Sequence, residues 1–281
     1  MERTSIRLGG VDLQSTVMNA SGPRSAERGE IFELSAVHGG ALVFKSCNIA
    51  GLEAPDNLKN RGMEHFAAIA GELVPRGKKV IGSIVGTTED EFVAVARRLD
   101  GAGAAILELN LADEYVAHSL APFASLEKLK SVIGRVRDAV GCVLAVKLPP
   151  KSSFEARALA DLLKSSGVAI AVCQNDLAKD LEIDVKSGVV KGKPRALSQA
   201  HAMYREGGGQ LDIVAVGGIN AGRDACIAHL TGAKGLQVGS ALIKEGAGAL
   251  GRIDKELDAL LAENGKKSVS EIIGKVAFSE S

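Results

Sequence analysis

Residues 213–242 read IVAVGGINAGRDACIAHLTGAKGLQVGSAL. The segment contains two short apolar runs, 213–216 and 236–239, separated by a helical stretch that starts near Gly222. A glycine pair directly follows the first run. Continuously apolar runs of this length are typical of parallel strands that are covered on both faces. The segment therefore predicts a strand–helix–strand unit of a parallel sheet.

The same unit recurs along the rest of the chain. Apolar runs alternate with amphipathic helical patterns, of which one face, at i, i+3, i+4 and i+7, is formed by Phe92, Val95, Ala96 and Leu99. Eight such alternations predict a closed (β/α)8 TIM barrel, because the rival architecture, a doubly wound open sheet, seldom needs eight units in one domain. The predicted strands are residues 16–20, 41–46, 80–85, 105–110, 142–147, 169–173, 213–216 and 236–239.

Two β-hairpins are predicted outside this repeat. The first covers residues 6–13 with Gly9-Gly10 as its turn, and we expect it to plug the bottom of the barrel. The second covers residues 180–191 and is a small insertion after strand six. A length of 281 residues suits a single barrel domain that spans residues 1–281.

Composition narrows the classes of function. Lysine plus arginine and aspartate plus glutamate each total 34, so the zero net charge gives no electrostatic case for nucleic acid or an anionic membrane as a partner. No apolar run reaches the roughly 20 residues needed to span a bilayer, and the first four residues lack an apolar signal segment, so we predict a cytoplasmic protein. The four cysteines show no Cys-x-x-Cys spacing, so no metal site is predicted.

Polar residues end or follow most of the predicted strands. Active sites of barrels lie at the carboxyl ends of the strands, so these side chains are predicted to converge on one rim. Singly, a strand-end asparagine can cap a turn and a strand-end lysine can reach solvent. Together they favour a ligand, since burying such groups without partners is costly. The set comprises Asn19, Ser21, Lys45, Ser46, Asn110, Lys147 and Asn175.

Two glycine-containing loops follow strands seven and eight. They contain Gly217-Gly218 and Gly239-Ser240, and each leads into a helical segment. Loops at these two positions commonly bind phosphate, because glycine lets backbone N–H groups approach the oxygens and a helix N-terminus adds positive potential. A tight turn alone would explain either pair singly, whereas two pairs in successive loops favour a phosphorylated ligand.

Longer motifs connect these features to a known family. The chain contains VMNASG at 17–22, ELNL at 108–111, VKLPP at 146–150 and a C-terminal block that includes VGGI at 216–219 and LQVGSAL at 236–242. In these motifs, which run through most of the chain, the sequence resembles the dihydroorotate dehydrogenases, especially the soluble class 1 enzymes. The lysine–leucine–proline–proline segment combined with the C-terminal block is specific, whereas a glycine pair alone would not be.

The resemblance implies a barrel that binds flavin mononucleotide (FMN), acts on a small molecule and forms a homodimer. The flavin ring would lie along Ala20, Ser21 and Gly22. Lys147 would approach the N1/O2 edge of the ring, where a cation stabilises the negative charge of the reduced flavin.

The resemblance also implies the remaining contacts of the site. Lys45 and Ser46 would lie near both flavin and substrate. The substrate would contact three amides, namely Asn60, Asn110 and Asn175. The flavin phosphate would be held by Gly217, Gly218, Gly239 and Ser240.

The sequence departs from the family at the substrate pocket. The family places a cysteine or serine base three residues after the asparagine matched by Asn110, where this chain has Asp113. Asp113 is therefore the candidate base, although an acid is also favoured there simply as the start of a helical segment. Lys45, which the resemblance places near flavin and substrate, is the second catalytic candidate. Orotate carries a carboxylate, and a like charge ~4 Å away at an effective dielectric of ~20 costs about 4 kcal/mol. The change thus weighs against orotate.

Three functions follow from these observations. The leading one is an FMN-dependent oxidoreductase acting on CH–CH bonds, which oxidises dihydroorotate or a related small dihydro-compound by hydride transfer to flavin N5. The second is a flavin-binding family member whose substrate activity is lost or changed. The third is a non-flavin barrel enzyme whose glycine loops bind another phosphorylated ligand.

Overall fold

The computed structural model describes residues 2–37, 40–51, 59–150, 152–174, 182–191 and 199–279. The strands, in chain order, are β1 (Ile6–Leu8), β2 (Val11–Leu13), β3 (Val17–Asn19), β4 (Leu42–Val43), β5 (Val80–Ile84), β6 (Ile106–Asn110), β7 (Val143–Lys147), β8 (Ile170–Gln174), β9 (Glu182–Asp184), β10 (Val189–Lys191), β11 (Asp212–Val216), β12 (Gly235–Val238) and β13 (Ala277–Ser279).

Helices connect most of these strands, and within the described ranges none of them is long and apolar enough to cross a membrane. Three short 3₁₀ turns, Val74–Arg76, Pro122–Ala124 and Val269–Glu271, accompany them. The α-helices are α1 (Arg28–Val37), α2 (Gly62–Leu73), α3 (Glu89–Gly101), α4 (Glu114–Ser119), α5 (Leu126–Ala139), α6 (Ala156–Ser165), α7 (Gln199–Gly207), α8 (Gly222–Leu230), α9 (Ser240–Glu245) and α10 (Gly248–Glu263).

Eight strands form one parallel sheet in the order β3-β12-β11-β8-β7-β6-β5-β4. Each neighbouring pair in this order is parallel. The order follows the chain around a circle, so the predicted (β/α)8 TIM barrel is confirmed. The largest difference in strand length is at β4, where the ladder covers only Leu42–Val43 although the apolar run of 41–46 predicts a longer strand.

The circle is closed between β3 and β4 by a side chain. The Nδ2 of Asn19 donates to the carbonyl of Val43 over 2.6 Å, and the N–H of Val43 donates to Oδ1 of Asn19 over 3.0 Å. Asn19 is fully buried. Its amide therefore replaces a backbone ladder at the junction of β3 and β4, which we call the seam. Asn19 is not one of the groups that converge at the rim for a ligand.

Amphipathic helices cover the outside of the barrel. Helix α3 begins at a Thr88 cap, whose side chain accepts the N–H of Glu91. The face that α3 buries is the predicted one, formed by Phe92, Val95, Ala96 and Leu99. Burial of this stripe against the strands explains why the 3.6-residue period could be read from the sequence.

The N-terminal hairpin, β1–β2, is confirmed as antiparallel, and it lies at the amino ends of the barrel strands. The N–H of Gly9 donates to Asp212 Oδ2 over 2.7 Å, and Lys234 Nζ lies 2.9 Å from Asp212 Oδ1. A Cβ at Gly9 would come within 2.8 Å of Cγ1 of Val143, so this turn needs glycine for space as well as for its φ of 55°. The hairpin thus closes the end opposite to the candidate site.

The predicted second hairpin is also confirmed and consists of β9 and β10. The C-terminal strand β13 adds to it in parallel with β10, which makes a three-stranded sheet outside the barrel. The sequence did not predict β13. A three-residue strand carries almost no periodicity of its own, and its partner lies far away in the sequence.

Candidate active site

A fully buried carboxylate, Glu108 on β6, lies at the centre of the polar residues inside the barrel. Its Oε1 accepts a hydrogen bond from Ser83 over 3.1 Å and lies 3.6 Å from the ammonium of Lys147. Its Oε2 accepts from Nε2 of Gln237 over 2.5 Å. A buried carboxylate is costly unless it is paired and hydrogen-bonded, and both oxygens of Glu108 meet that condition.

The network continues from this carboxylate to the rim of the barrel. Ser83 Oγ lies 2.9 Å from Ser46 Oγ, and Ser46 accepts from Nδ2 of Asn110 over 2.9 Å. On the other side, Lys147 donates to Ser21 Oγ over 3.0 Å. The structure therefore joins four of the residues singled out by sequence, which are Ser21, Ser46, Asn110 and Lys147.

Strand register explains why these groups meet. Alternate residues of a strand face the same side, so Glu108 and Asn110 of β6 both face the interior. The parallel ladders pair Ser83 with Glu108 and Asn110 with Lys147. The interior thus contains a lower polar layer at Glu108 and an upper one at Asn110 and Lys147, nearer to the carboxyl ends.

Sequence reasoning gave no role to Glu108, Ser83 or Gln237. Glu108 stands in the otherwise apolar run of 105–109, and Gln237 stands in the apolar run of 236–238. An ionisable or amide side chain inside such a run must be buried, and it then needs partners. That pattern is the feature of the sequence that could have identified both residues.

The segment after β3 lies beside the loop after β12. The N–H of Ala20 donates to the carbonyl of Val238, and a Cβ at Gly239 would lie 3.9 Å from Cβ of Ala20. Gly22 is held by a turn, since its N–H donates to the carbonyl of Ala20 over 2.8 Å. The small residues assigned to the ring and one of the glycine loops are therefore neighbours.

Lys45 follows the short strand β4 and is largely buried, with 9% of its surface exposed. Its backbone N–H donates to the carbonyl of Ser25 over 2.9 Å, which ties the loop after β3 to the end of β4. Cys47, two residues further on, is fully buried, and desolvation raises the pKa of its thiol to about 12. Cys47 therefore stays protonated and is a bystander.

The loops after β11 and β12 meet at the rim. Gly217 and Gly218 have φ angles of 100° and 72°, a backbone conformation that favours glycine. Ser240 Oγ donates to Oδ1 of Asn220 over 3.4 Å, which joins the two loops. Gly218 and Ser240 are both exposed to solvent.

The start of helix α8 differs from the expectation that it contributes to phosphate binding. The N–H groups of Asn220 and Ala221 donate to Asp224 Oδ2, and the N–H of Gly222 donates to Glu256 Oε2 over 2.7 Å. Carboxylates of the chain itself thus occupy these donors. The candidates for an external anion are therefore the loop glycines and Ser240.

Arg252 of α10 braces these loops. Its guanidinium binds Glu245 through two hydrogen bonds of 2.8 Å, Glu256 through one of 2.7 Å, and the carbonyl of Asn220 through one of 2.9 Å. The hydrogen bonds that Arg252 donates to Glu245 and Glu256 raise the pKa of Arg252 above its usual value. Burial acts to raise the pKa of Glu256, but the bonds from Gly222 and Arg252 outweigh it and lower that pKa.

The substrate candidates are positioned differently from one another. Asn60 is buried, and its Oδ1 accepts the N–H groups of Gly62 over 3.0 Å and of Asn48 over 3.4 Å, so this atom links Asn48 to the start of α2. Asp113 is half-buried directly before α4, and its carbonyl accepts the N–H of Ala117. Asn175 lies outside the described residues.

These features define the class of the protein: a (β/α)8 barrel with a buried polar network and two glycine loops at the carboxyl ends of its strands. A sequence model of the family described as dihydroorotate dehydrogenase matches residues 55–261. The chain belongs to the dihydroorotate dehydrogenase family. Membership supports an oxidoreductase of the dihydroorotate dehydrogenase type.

Individual relatives match over nearly their whole length. The dihydroorotate dehydrogenase (fumarate) of Trypanosoma cruzi is 30% identical over 295 residues, which cover 92% of this chain and 93% of the relative. The enzyme of the same name from Lachancea kluyveri is 28% identical over 297 residues, which cover 94% of this chain and 95% of the relative. Among solved structures, the DHODH of Eimeria tenella in complex with ferulenol superposes with a TM-score of 0.79 at 17% identity. That match covers 97% of this chain and 88% of the other, and it supports the fold.

Proposed function

We propose that the chain is an FMN-dependent oxidoreductase that oxidises dihydroorotate or a related small dihydro-compound. The observation that carries this proposal is Lys147, whose ammonium is fixed at the carboxyl end of β7 between Ser21 and Glu108. A fixed cation beside small residues and a glycine-rich rim suits a ligand with an anionic phosphate and an electron-accepting ring.

The residues of this rim fit FMN by their chemistry. The left-handed backbone of Gly218 offers an N–H group to a phosphate, and the exposed Ser240 offers a hydroxyl that would have to turn from Asn220 to reach it. Ala20, Ser21 and Gly22 form a strip of small residues on which a flat ring can lie, beside Gly239. In the proposed arrangement Gly217, Gly218, Gly239 and Ser240 hold the phosphate and Lys147 faces the ring.

FMN supplies a two-electron acceptor that takes up a hydride from a carbon of the substrate. The chain has to orient the substrate, stabilise developing negative charge and accept the second proton. We assign charge stabilisation to Lys147 and orientation to Asn110, Ser46 and Lys45. Asp113 is the proposed base, since a half-buried carboxylate can take the proton that leaves with the second C–H bond.

The substrate is the part of the proposal that Asp113 constrains. A carboxylate at the position of the base disfavours a second anion nearby by about 4 kcal/mol at ~4 Å and an effective dielectric of ~20. A neutral or cationic dihydro-compound would avoid this repulsion. Asn60, Asn110 and Asn175 remain the proposed substrate contacts.

An anaerobic substrate screen tests this function. Protein loaded with FMN is mixed with dihydroorotate and with neutral and cationic dihydro-compounds, and bleaching of the flavin absorbance is followed. We expect at least one compound to bleach the flavin, and fumarate, which the names of the relatives include, is the first oxidant to test for recovery of the colour. If light reduces the bound flavin but none of the compounds does, the result would instead support a flavin-binding protein without this activity.

A further inference from the structure

Glu108 is the terminal acceptor of a one-directional hydrogen-bond chain. Asn110 donates to Ser46, and Ser83 donates to Glu108, so the bond between the two serines runs from Ser46 to Ser83. Every step therefore points toward the carboxylate. The carboxylate oxygens accept from Ser83 and from Gln237, and the chain of bonds fixes the orientation of the Asn110 amide at the rim.

The orientation of Gln237 supports the same reading. Its Nε2 faces Glu108, while its buried Oε1 lacks a hydrogen-bond partner among the described residues. An unpartnered buried acceptor is unfavourable. The opposite orientation of the amide would be less favourable still, because it would place Oε1 of Gln237 against an oxygen of Glu108. The Glu108 carboxylate therefore determines how the Gln237 amide is oriented.

Glu108 also forms an ion pair with Lys147. Lys147 has a long flexible side chain, of which 16% is exposed, and its ammonium is held by Ser21 at 3.0 Å and by Glu108 at 3.6 Å. An apolar residue at position 108 would fill the same interior without the desolvation cost of a carboxylate. The carboxylate is therefore explained better by its effect on the charge at the rim than by packing.

Resting on the flavin function proposed above, we propose that Glu108 is a positioning residue that holds the Lys147 ammonium at the rim and offsets part of its charge. Lys147 alone would make a bound flavin easier to reduce, because a cation stabilises the reduced, negatively charged ring. With Glu108 beside it, the net charge presented to the flavin is smaller. Glu108 thereby sets the reduction potential of the bound flavin to a more negative value.

The test measures the midpoint potential of FMN bound to the native protein and to its variants. The potential is obtained from the visible spectrum recorded during an anaerobic reductive titration. Glu108→Gln removes the charge at nearly constant shape and is expected to shift the midpoint to a more positive value. Lys147→Met is expected to shift it to a more negative one. If Glu108 acts through Lys147, Glu108→Gln shifts the potential less in the Lys147→Met background than in the native chain.

Two further variants separate charge from structure. Ser83→Ala deletes a hydrogen bond to the same carboxylate but keeps both charges, so its midpoint is expected to stay near that of the native protein. Glu108→Asp keeps the charge but moves it one methylene further from Lys147. We expect its midpoint potential to shift in the positive direction, by less than that of Glu108→Gln. This variant also carries the test if Glu108→Gln does not fold.

The outcomes distinguish this inference from the proposed function. Native protein that takes up no FMN overturns both. Native protein that binds FMN, with Glu108→Gln and Glu108→Asp titrating at the native midpoint, overturns the role of Glu108 alone and leaves the flavin function standing. A positive shift of equal size in Ser83→Ala would likewise overturn it, since loss of structure rather than of charge would then explain the effect.

Discussion

The side-chain amide of Asn19 pairs with both backbone polar groups of Val43, donating to the carbonyl over 2.6 Å and accepting from the N–H over 3.0 Å. These bonds join the two ends of the eight-stranded sheet. The residues assigned to the flavin ring follow Asn19 directly, and Lys45 and Ser46 follow Val43 two and three positions later. One amide thus holds two sides of the candidate site together.

Replacement of Asn19 by leucine is predicted to destabilise the protein strongly. The change keeps the size of the side chain but leaves a buried N–H and a buried carbonyl of Val43 without partners, at about 1–3 kcal/mol each. Urea denaturation followed by circular dichroism measures the loss. Gln14→Leu, at an exposed position, is the matched control. Equal midpoints for Asn19→Leu and the native protein would show that the seam does not depend on this amide.

The protein is predicted to become less stable as the pH is lowered below 6.5, because of His229. The ring is fully buried, with Nδ1 2.8 Å from the carbonyl of Ala233 and Nε2 3.0 Å from the hydroxyl of Thr16. A carbonyl only accepts, so Nδ1 carries the proton and Nε2 accepts from Thr16. Desolvation lowers the pKa of His229 from 6.5 to about 4, against the opposing effect of the bond to Ala233.

The direction of the pH effect follows from this lowered pKa. Below pH 6.5 the unfolded chain binds a proton that the native ring does not bind until about pH 4. The stability that the neutral ring contributes above pH 6.5 is therefore lost between these values, about 3 kcal/mol in all and about 2 kcal/mol by pH 5. Denaturation of native protein and of His229→Gln at pH 7.5 and pH 5 measures it. The same pH dependence in both proteins would rule out His229 as its source.

Arg252→Lys is predicted to weaken FMN binding about tenfold or more. Lysine keeps the charge but cannot reproduce the fork that joins Glu245 and Glu256 to the carbonyl of Asn220, so the glycine loops would be less well fixed. A tenfold loss corresponds to roughly 1.4 kcal/mol. Fluorescence titration of apoprotein with FMN gives the affinity. Arg157→Lys, in the exposed pair with Glu206, serves as control and should bind like the native chain. Native affinity in Arg252→Lys would mean that α10 does not order the loops.

Asp113→Asn is predicted to slow flavin reduction by substrate by roughly 10²–10⁴-fold, the usual contribution of a general base. FMN affinity should not change, because Asp113 belongs to the proposed substrate side. Anaerobic stopped-flow mixing with the compound identified in the screen measures the rate. Asp138→Asn, on the exposed side of α5, is the control. A variant that is reduced as fast as the native protein would remove Asp113 from the mechanism.

Much of the fold could be predicted from local patterns. Apolar runs marked all eight barrel strands, and the buried face of α3 followed from its 3.6-residue period. Strand β13 could not be predicted from such patterns, because a short segment such as Ala277–Ser279 becomes a strand only through its partner β10. The short ladder of β4 could not be predicted either, since the seam is completed by a side chain from β3.

The site was predictable at its rim, whereas beneath the rim the sequence marks buried polar residues but not their partners. Ser21, Ser46, Asn110 and Lys147 were recognisable as polar groups at strand ends, and one network joins them. Glu108 belongs to the same network but lies inside a strand, where residue type alone does not show its partners. Pairing of Glu108 with Ser83 and Gln237 depends on strand register and barrel closure, which a single sequence does not contain.

The most direct test of the flavin assignment is a titration of apoprotein with FMN, followed by quenching of FMN fluorescence and by the visible absorption spectrum. We predict saturable quenching at one FMN per chain and a yellow protein that keeps its colour through gel filtration. Unchanged FMN fluorescence at every protein concentration, together with a colourless protein fraction, would contradict the assignment.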